Sequence, residues 1–329
     1  MKDALQSELS VAVRAVREAS RLCREVQRKL AEAVLEKNDK SPVTVADFGS
    51  QALICRALQA AFPDDPVIGE EDSKALRQPA QDALRAQVVE RVRAQVPSAG
   101  EADVCGWIDR GGASAYSPRF WTLDPIDGTK GFLRGGQYAV ALALVVGGQV
   151  AVAALGCPNL PPEPGPESGA GVIFWAVRGG GAFAEPLDGP GAPIPLQAKA
   201  AVEPAQAVYC ESVESRHSSQ GGAAEIAKGL GITRPPRRLD SMAKYALVAR
   251  GECELYIRLP TGAAYTEKIW DHAAGALVAT EGGATVTDIE GKPLDFTLGR
   301  ELSKNRGVLV TSGGIHARVV AAARGVAGG

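Results

Sequence analysis

The chain has 329 residues, 45% hydrophobic and 22% charged, enough for one large core or two medium ones, which excludes a disordered polypeptide. A formal net charge of −2 gives no general attraction to nucleic acid or acidic membranes, so a polyanionic ligand must be held by a local cluster or by metal. No run approaches the ~18 apolar residues of a membrane span, and Met1-Lys-Asp-Ala-Leu-Gln-Ser-Glu8 lacks both a signal-peptide apolar block and the acid-poor character of a transit peptide. The expected partner is a small molecule, with no nucleic acid and no membrane, in the cytoplasm, or in the stroma or matrix of an organelle if a leader has been removed.

From Leu5, apolar or small residues recur at Leu9, Ala12, Val16, Ala19, Cys23, Val26, Leu30 and Ala33, the alternating steps of four and three that one face of a long helix requires. Residues 38–47 read as a turn and a short extended piece in which Pro42 opposes helix. A helix is predicted over 48–61, so Asp47 falls at a helix start, where an N-cap is its ordinary role. Val67-Ile68 reads as a short buried strand opening into the acidic loop Gly69-Glu-Glu-Asp72. Helical periodicity returns over 73–96 with a break at Pro79, and the Gly- and Ser-rich stretch 98–119 reads as a mobile or partly ordered surface segment.

The apolar run Phe120 to Leu123 then ends a buried strand and delivers Asp124 and Asp127 into an Asp-Gly turn. Strands are predicted over 138–146 and 149–156, joined by Gly147-Gly148, and over 172–177, with a proline-rich loop between. A second Pro/Gly cluster, 185–195, marks the expected boundary between an N-terminal α+β lobe, 1–190, and a C-terminal α/β lobe, 191–329. In the second lobe strands are predicted at 207–210, 253–259, 284–287 and 307–311. Helices are predicted at 221–230, 241–250, from Asp271 and at 315–323, an α/β alternation. Six cysteines are spread without a C-x-x-C pair, which argues against zinc and for a reducing compartment, a regulatory disulfide being left open.

Four acidic places can carry chemistry: Asp47, the Glu70-Glu71 pair, Asp124 with Asp127, and Asp271 in Lys268-Ile-Trp-Asp-His-Ala-Ala-Gly275. Each has a plain structural reading, as a turn, a helix cap or a solvated acid. A hard cation such as Mg²⁺ instead needs several oxygens brought together from separate segments, and strand-end loops with a helix start can supply them.

Gly69-Glu-Glu, Asp124-Pro-Ile-Asp-Gly-Thr129 and Trp270-Asp-His-Ala-Ala-Gly275 resemble, in this order, the metal-dependent, lithium-sensitive phosphomonoesterase superfamily that includes inositol monophosphatase and fructose-1,6-bisphosphatase. Ser41-Pro-Val-Thr-Val-Ala-Asp47, Gly128-Thr-Lys-Gly-Phe-Leu-Arg-Gly135 and Glu211-Ser-Val-Glu-Ser-Arg-His217 are similar to its 3′(2′),5′-bisphosphate nucleotidase branch. The resemblance implies a layered αβαβα sandwich and a Mg²⁺ centre of two or three ions. Glu70, Asp124 and the carbonyl of Ile126 would hold one ion, Asp124, Asp127 and Asp271 the second, and Glu71 is a weaker candidate for a third. It also implies Asp47 and Thr129 as the water-activating pair, Gly128 and Thr129 as phosphate-gripping amides, His217 against an adenine, Ser241 and Lys244 on phosphate or ribose, and Arg258 on a 5′-phosphate. The implied activity converts adenosine 3′,5′-bisphosphate to adenosine 5′-monophosphate and phosphate, with its sulfated analogue as a further substrate, by a monomer or weak dimer. The alternatives are an inositol phosphate phosphatase of the same fold and a non-catalytic phosphonucleotide sensor.

Overall fold

A computed structural model describes residues 5–32, 41–165, 169–200, 203–214, 218–260, 262 and 265–327. Helices α1 (Gln6–Glu32) and α2 (Ser41–Ala61) pack on each other and on one face of a seven-stranded sheet. The sheet follows chain order: β1 (Val67–Gly69), β2 (Arg119–Asp127), β3 (Ala139–Val146), β4 (Gln149–Cys157), β5 (Val172–Val177), β6 (Gly181–Pro186) and β7 (Ile194–Pro195). β1 and β2 are parallel, with α3 (Asp82–Arg93) and α4 (Glu101–Asp109) in the crossover, and the later pairs are antiparallel.

Alternation along β3 lets one strand serve two cores. Val140, Leu142 and Leu144 join the cluster of α1 and α2, while Ala139, Ala141 and Ala143 join the cluster on the opposite face. The small residues there admit α8 (Ala273–Glu281), whose residues from Ala273 to Ala279 are all buried. Together with α7 (Ala243–Ala249), α8 fills the space before a second sheet. Its order is β11 (Thr285–Thr287), β12 (Val308–Thr311), β10 (Leu255–Arg258), β8 (Tyr209–Glu211) and β9 (Arg237–Arg238). On its far side α6 (Gln220–Gly229) and α9 (His316–Ala327) close a third cluster through Ile226 and Val319 on Ile257 and Leu309. The layers therefore run αβαβα.

Several expectations are corrected. Helix α2 begins at Ser41, not at 48, because a proline in the first helical turn forfeits no intrahelical bond, so Asp47 lies in the second turn and is not an N-cap. The stretch 98–119 holds the ordered helix α4, capped by the Asp103 carboxylate on the Gly100 N–H at 2.8 Å, with Val104, Cys105 and Ile108 buried. β6, β7 and β9 were not foreseen: β7 and β9 have two residues each and leave almost no periodicity to read, and β6 follows Gly179-Gly180 and runs into the Pro/Gly-rich stretch read as a lobe boundary. The end of the first predicted helix at Ala33 and the turn at Asn38 lie outside the described residues. All six cysteines are buried free thiols, and no described helix is long and apolar enough to cross a membrane.

Candidate active site

The site is built first by an irregularity in β2. Asp124 pairs with Ala141 and Asp127 with Ala139, so three steps on β2 match two on β3. Residues three apart on a regular strand point to opposite faces, and the extra residue of this bulge returns Asp127 to the side of Asp124. Pro125, lacking an N–H, cannot complete the ladder, and its carbonyl accepts instead from the Ser50 hydroxyl of α2 at 3.0 Å. The turn that follows depends on Gly128, whose φ is 89° and whose added Cβ would stand 3.2 Å from the Cβ atoms of Asp240 and Ser241. It opens α5 (Thr129–Leu133), which the sequence had not marked as a helix.

Parallel pairing of β1 and β2, with Gly69 opposite Leu123, sets the Glu70 loop beside this bulge. Gln51 anchors that loop: its amide accepts from the Glu71 N–H at 3.1 Å and donates to the Glu71 carbonyl at 2.6 Å. A Cβ on Gly69 would come 2.7 Å from Gln51 Oε1, so glycine is needed for this approach. From the other sheet's side, Asp271 arrives at the end of a single 3-10 turn, Ile269–Asp271, just before α8.

Glu70, Asp124, Ile126, Asp127 and Asp271 thus meet around one cavity of about 340 Å³. Gly128, Thr129 and Arg258 also line it, as do Lys130 and Tyr265, which the sequence reading missed. Asp47, Ser241 and Lys244 are buried and do not line the cavity. The Lys244 ammonium turns back to the carbonyls of Ser241 at 2.7 Å and Leu239 at 3.1 Å, over the Tyr256 ring. His217 lies outside the described residues.

The acids repel one another. Asp124 is pushed well above the ordinary carboxylate range by desolvation first, then by Glu70, Asp127 and Asp271. Glu70, though its outer edge meets solvent, is raised by desolvation on its inner side and then by Asp271 and Glu71. Desolvation and Asp271 raise Asp127 against the pull of Lys244 and a hydrogen bond from the Met242 N–H. Asp47 is raised by burial, then by Glu71 and Glu70. Asp124 Oδ1 is buried with no hydrogen-bond partner among the described residues, a costly arrangement unless a cation compensates it. An all-oxygen, acid-rich set of this kind fits a hard divalent cation.

The facing side is self-compensated. The Arg258 Nε donates to Glu267 Oε1 at 3.0 Å, and its Nη2 lies 2.6 Å from Glu267 Oε2 and 3.3 Å from Asp271 Oδ2. His272 Nε2 is 3.0 Å from Glu267 Oε2, and His272 Nδ1 is 2.7 Å from the Tyr245 hydroxyl. Ligand atoms of Glu267, Asp271 and His272 do converge within 4.8 Å, but the guanidinium already supplies the cation there. Sequence reasoning missed Glu267 and His272, although an acid and a histidine flanking Ile269-Trp270-Asp271 in an apolar island were a readable signal.

A sequence model of the inositol monophosphatase family matches residues 4–326. The chain is 45% identical to the 3′(2′),5′-bisphosphate nucleotidase of Schizosaccharomyces pombe, an alignment covering 97% of this chain and 96% of the relative. It is 43% identical to the protein of that name from Emericella nidulans, with 98% of each chain covered. Among solved structures it resembles an inositol monophosphatase from Anabaena at 20% identity and a TM-score of 0.62, covering 97% of this chain and 96% of that one. Inositol monophosphatase II from Staphylococcus aureus is similar at 19% identity and a TM-score of 0.61, with 94% and 93% covered. These two structures bear on the fold alone.

Proposed function

The chain belongs to the inositol monophosphatase family, and from that premise we propose that it is a 3′(2′),5′-bisphosphate nucleotidase. On this reading it removes the 3′-phosphate of adenosine 3′,5′-bisphosphate, with Mg²⁺ as its cation and the sulfated analogue as a further substrate. The observation that carries the reading is a single cavity holding Glu70, Asp124 and Asp127 on one side and Arg258 on the other. Mutually repelling carboxylates call for a cation, and a buried guanidinium paired with Glu267 on one edge still offers its other edge to a phosphate oxygen. The names of the S. pombe and E. nidulans relatives support the substrate class.

Glu70, Asp124, Asp127, Asp271 and the Ile126 carbonyl would hold two ions, with Asp124 shared, and Glu71 is the candidate for a third. Bound there, the ions supply Lewis-acid activation of water and neutralise phosphate charge. Thr129 orients the attacking water, and Asp47, which does not line the cavity, takes its proton through the Thr129 hydroxyl. The N–H groups of Gly128 and Thr129 bind phosphate oxygens as the P–O3′ bond breaks and the 3′-oxygen of the product gains a proton. Arg258 receives the 5′-phosphate and His217 lies against the adenine. Ser241 and Lys244 bond phosphate or ribose, which requires Lys244 to exchange one of its two carbonyl contacts. We assign the metal ligands up to Asp127 to a lobe of residues 1–190 and the nucleotide contacts, with Asp271, to residues 191–329, in a monomer or weak dimer in the cytoplasm or an organelle stroma or matrix.

The test is phosphate release from adenosine 3′,5′-bisphosphate and from inositol monophosphate, with Mg²⁺ and with chelator. Release from the nucleotide that needs Mg²⁺ is expected. A preference of more than about tenfold for the inositol substrate sinks the reading, and nucleotide binding without any release makes the chain a sensor.

A further inference from the structure

A second, concealed set of residues stands behind Arg258. Arg258 is only 8% exposed, Glu267 4%, and Tyr245 and His272 are fully buried, so every polar atom among them must find a partner inside the protein. They do so in one direction. Burial holds the Tyr245 phenol protonated, and it donates to His272 Nδ1; Nε2 is then the N–H donor to Glu267 Oε2. Glu267 in turn takes Arg258 side-on through Nε and Nη2. The far end is fixed by packing: the Tyr245 ring stands edge-on to Tyr256 at 5.1 Å, in space that exists because residue 275 is glycine, where a Cβ would meet the ring at 2.5 Å.

We propose that Glu267, backed by His272 and Tyr245, is a positioning residue that aims Arg258 into the cavity and thereby sets the preference for a substrate with a second phosphate. The proposal rests on the reading that Arg258 receives the 5′-phosphate. With Nε and Nη2 taken by Glu267, Nη2 also reaching Asp271 at 3.3 Å and the Tyr265 hydroxyl at 3.4 Å, and the Tyr256 hydroxyl beside the guanidinium, Nη1 is the edge with no carboxylate partner among the described residues. It is therefore the edge left for a ligand. Glu267 also keeps the guanidinium from collapsing onto the acids. Without it the nearest carboxylate is Asp271, and beyond that stand Asp127 and Asp124, where an arginine would compete with any cation.

The experiment uses the full chain and three variants, Glu267→Gln, Glu267→Asp and Tyr245→Phe. Glu267→Gln should raise KM for adenosine 3′,5′-bisphosphate about tenfold more than KM for adenosine 3′-monophosphate, which lacks the 5′-phosphate. Glu267→Asp should restore part of that gap. Tyr245→Phe, a milder change at the remote end that keeps the protein folded, should move the same ratio about twofold to fourfold. Equal changes on both substrates, or no change in either variant's ratio, overturn the proposal and leave a merely structural network. Calorimetric titration with adenosine 5′-monophosphate against adenosine supplies a readout that needs no turnover. If the wild-type chain releases no phosphate, the functional reading fails, and the proposal then stands or falls on whether Glu267→Gln selectively weakens binding of the monophosphate.

Discussion

Where β1 and β2 end, Glu70, Asp124 and Asp127 crowd together and desolvation and mutual repulsion raise all three; across the cavity Arg258, Glu267, His272 and Tyr245 satisfy one another bond by bond. The first wall carries more negative charge than Lys244 and Arg258 offset, and in the free protein it is a liability. The second is charge already matched, and it costs stability only when broken. An imbalance held in place by a bulge, a glycine turn and the Gln51 clamp marks where a ligand supplies the missing sign. A balanced network marks what holds a ligand-facing group still.

This contrast can be broken most sharply at Asp124. Asp124→Asn should lower turnover by about a thousandfold or more, roughly 4 kcal/mol in the barrier, yet the variant in chelator should melt no lower than wild type because a repelling charge has gone. A fall in melting temperature would remove the acidic wall from the unpaired class. On the other wall, Arg258→Ala should raise KM for the 3′,5′-bisphosphate about a hundredfold, close to 3 kcal/mol, with a far smaller effect on adenosine 3′-monophosphate. A uniform effect would make Arg258 structural.

A milder test uses acid. Desolvation raises the Glu267 carboxyl, but Arg258 and then His272 outweigh it and hold the group at about 2, below the ordinary 4.5. Its folded-state pKa is depressed, so its stabilisation is full above pH 4.5 and drains away as pH falls toward 2. The stability advantage of wild type over Glu267→Gln in denaturant titrations should therefore shrink by on the order of 2 kcal/mol between pH 6 and pH 3; a constant difference would refute the pairing. The smallest effect expected is a rise of about 5 °C in melting temperature on saturating Mg²⁺, as binding to the folded state alone requires. Asp124→Asn should abolish that rise.

Local pattern made much of the candidate site legible, in that most of its acids line one cavity. Asp124 and Asp127 announce themselves by an apolar lead-in and an Asp-Gly turn, Glu70 by a short strand before it, and Asp271 by the helix formers that follow. These are features within a few residues of each acid, which is the range over which backbone preference acts. Asp47 was found as an acid but misplaced, because the sequence rule that proline opposes helix does not hold in a first turn. Helix α4 was missed because glycine and serine dominate its surroundings, while its stability comes from Val104, Cys105 and Ile108 packing onto a helix far earlier in the chain.

What the sequence determined by itself is therefore the inventory of groups and the short segments that present them: the two-acid strand end, the glycine turn, the acidic loop and the alternating strands of a layered fold. Tertiary structure alone decided which charges are matched. Glu267 binds Arg258 nine residues away, Tyr245 reaches His272 across 27, and Asp271 bears on Glu70 and Asp124 from a segment far along the chain. The physical reason is that a charge is stabilised or destabilised by whatever lies within a few ångströms of it, and in a sandwich of two sheets those neighbours come from segments remote in sequence.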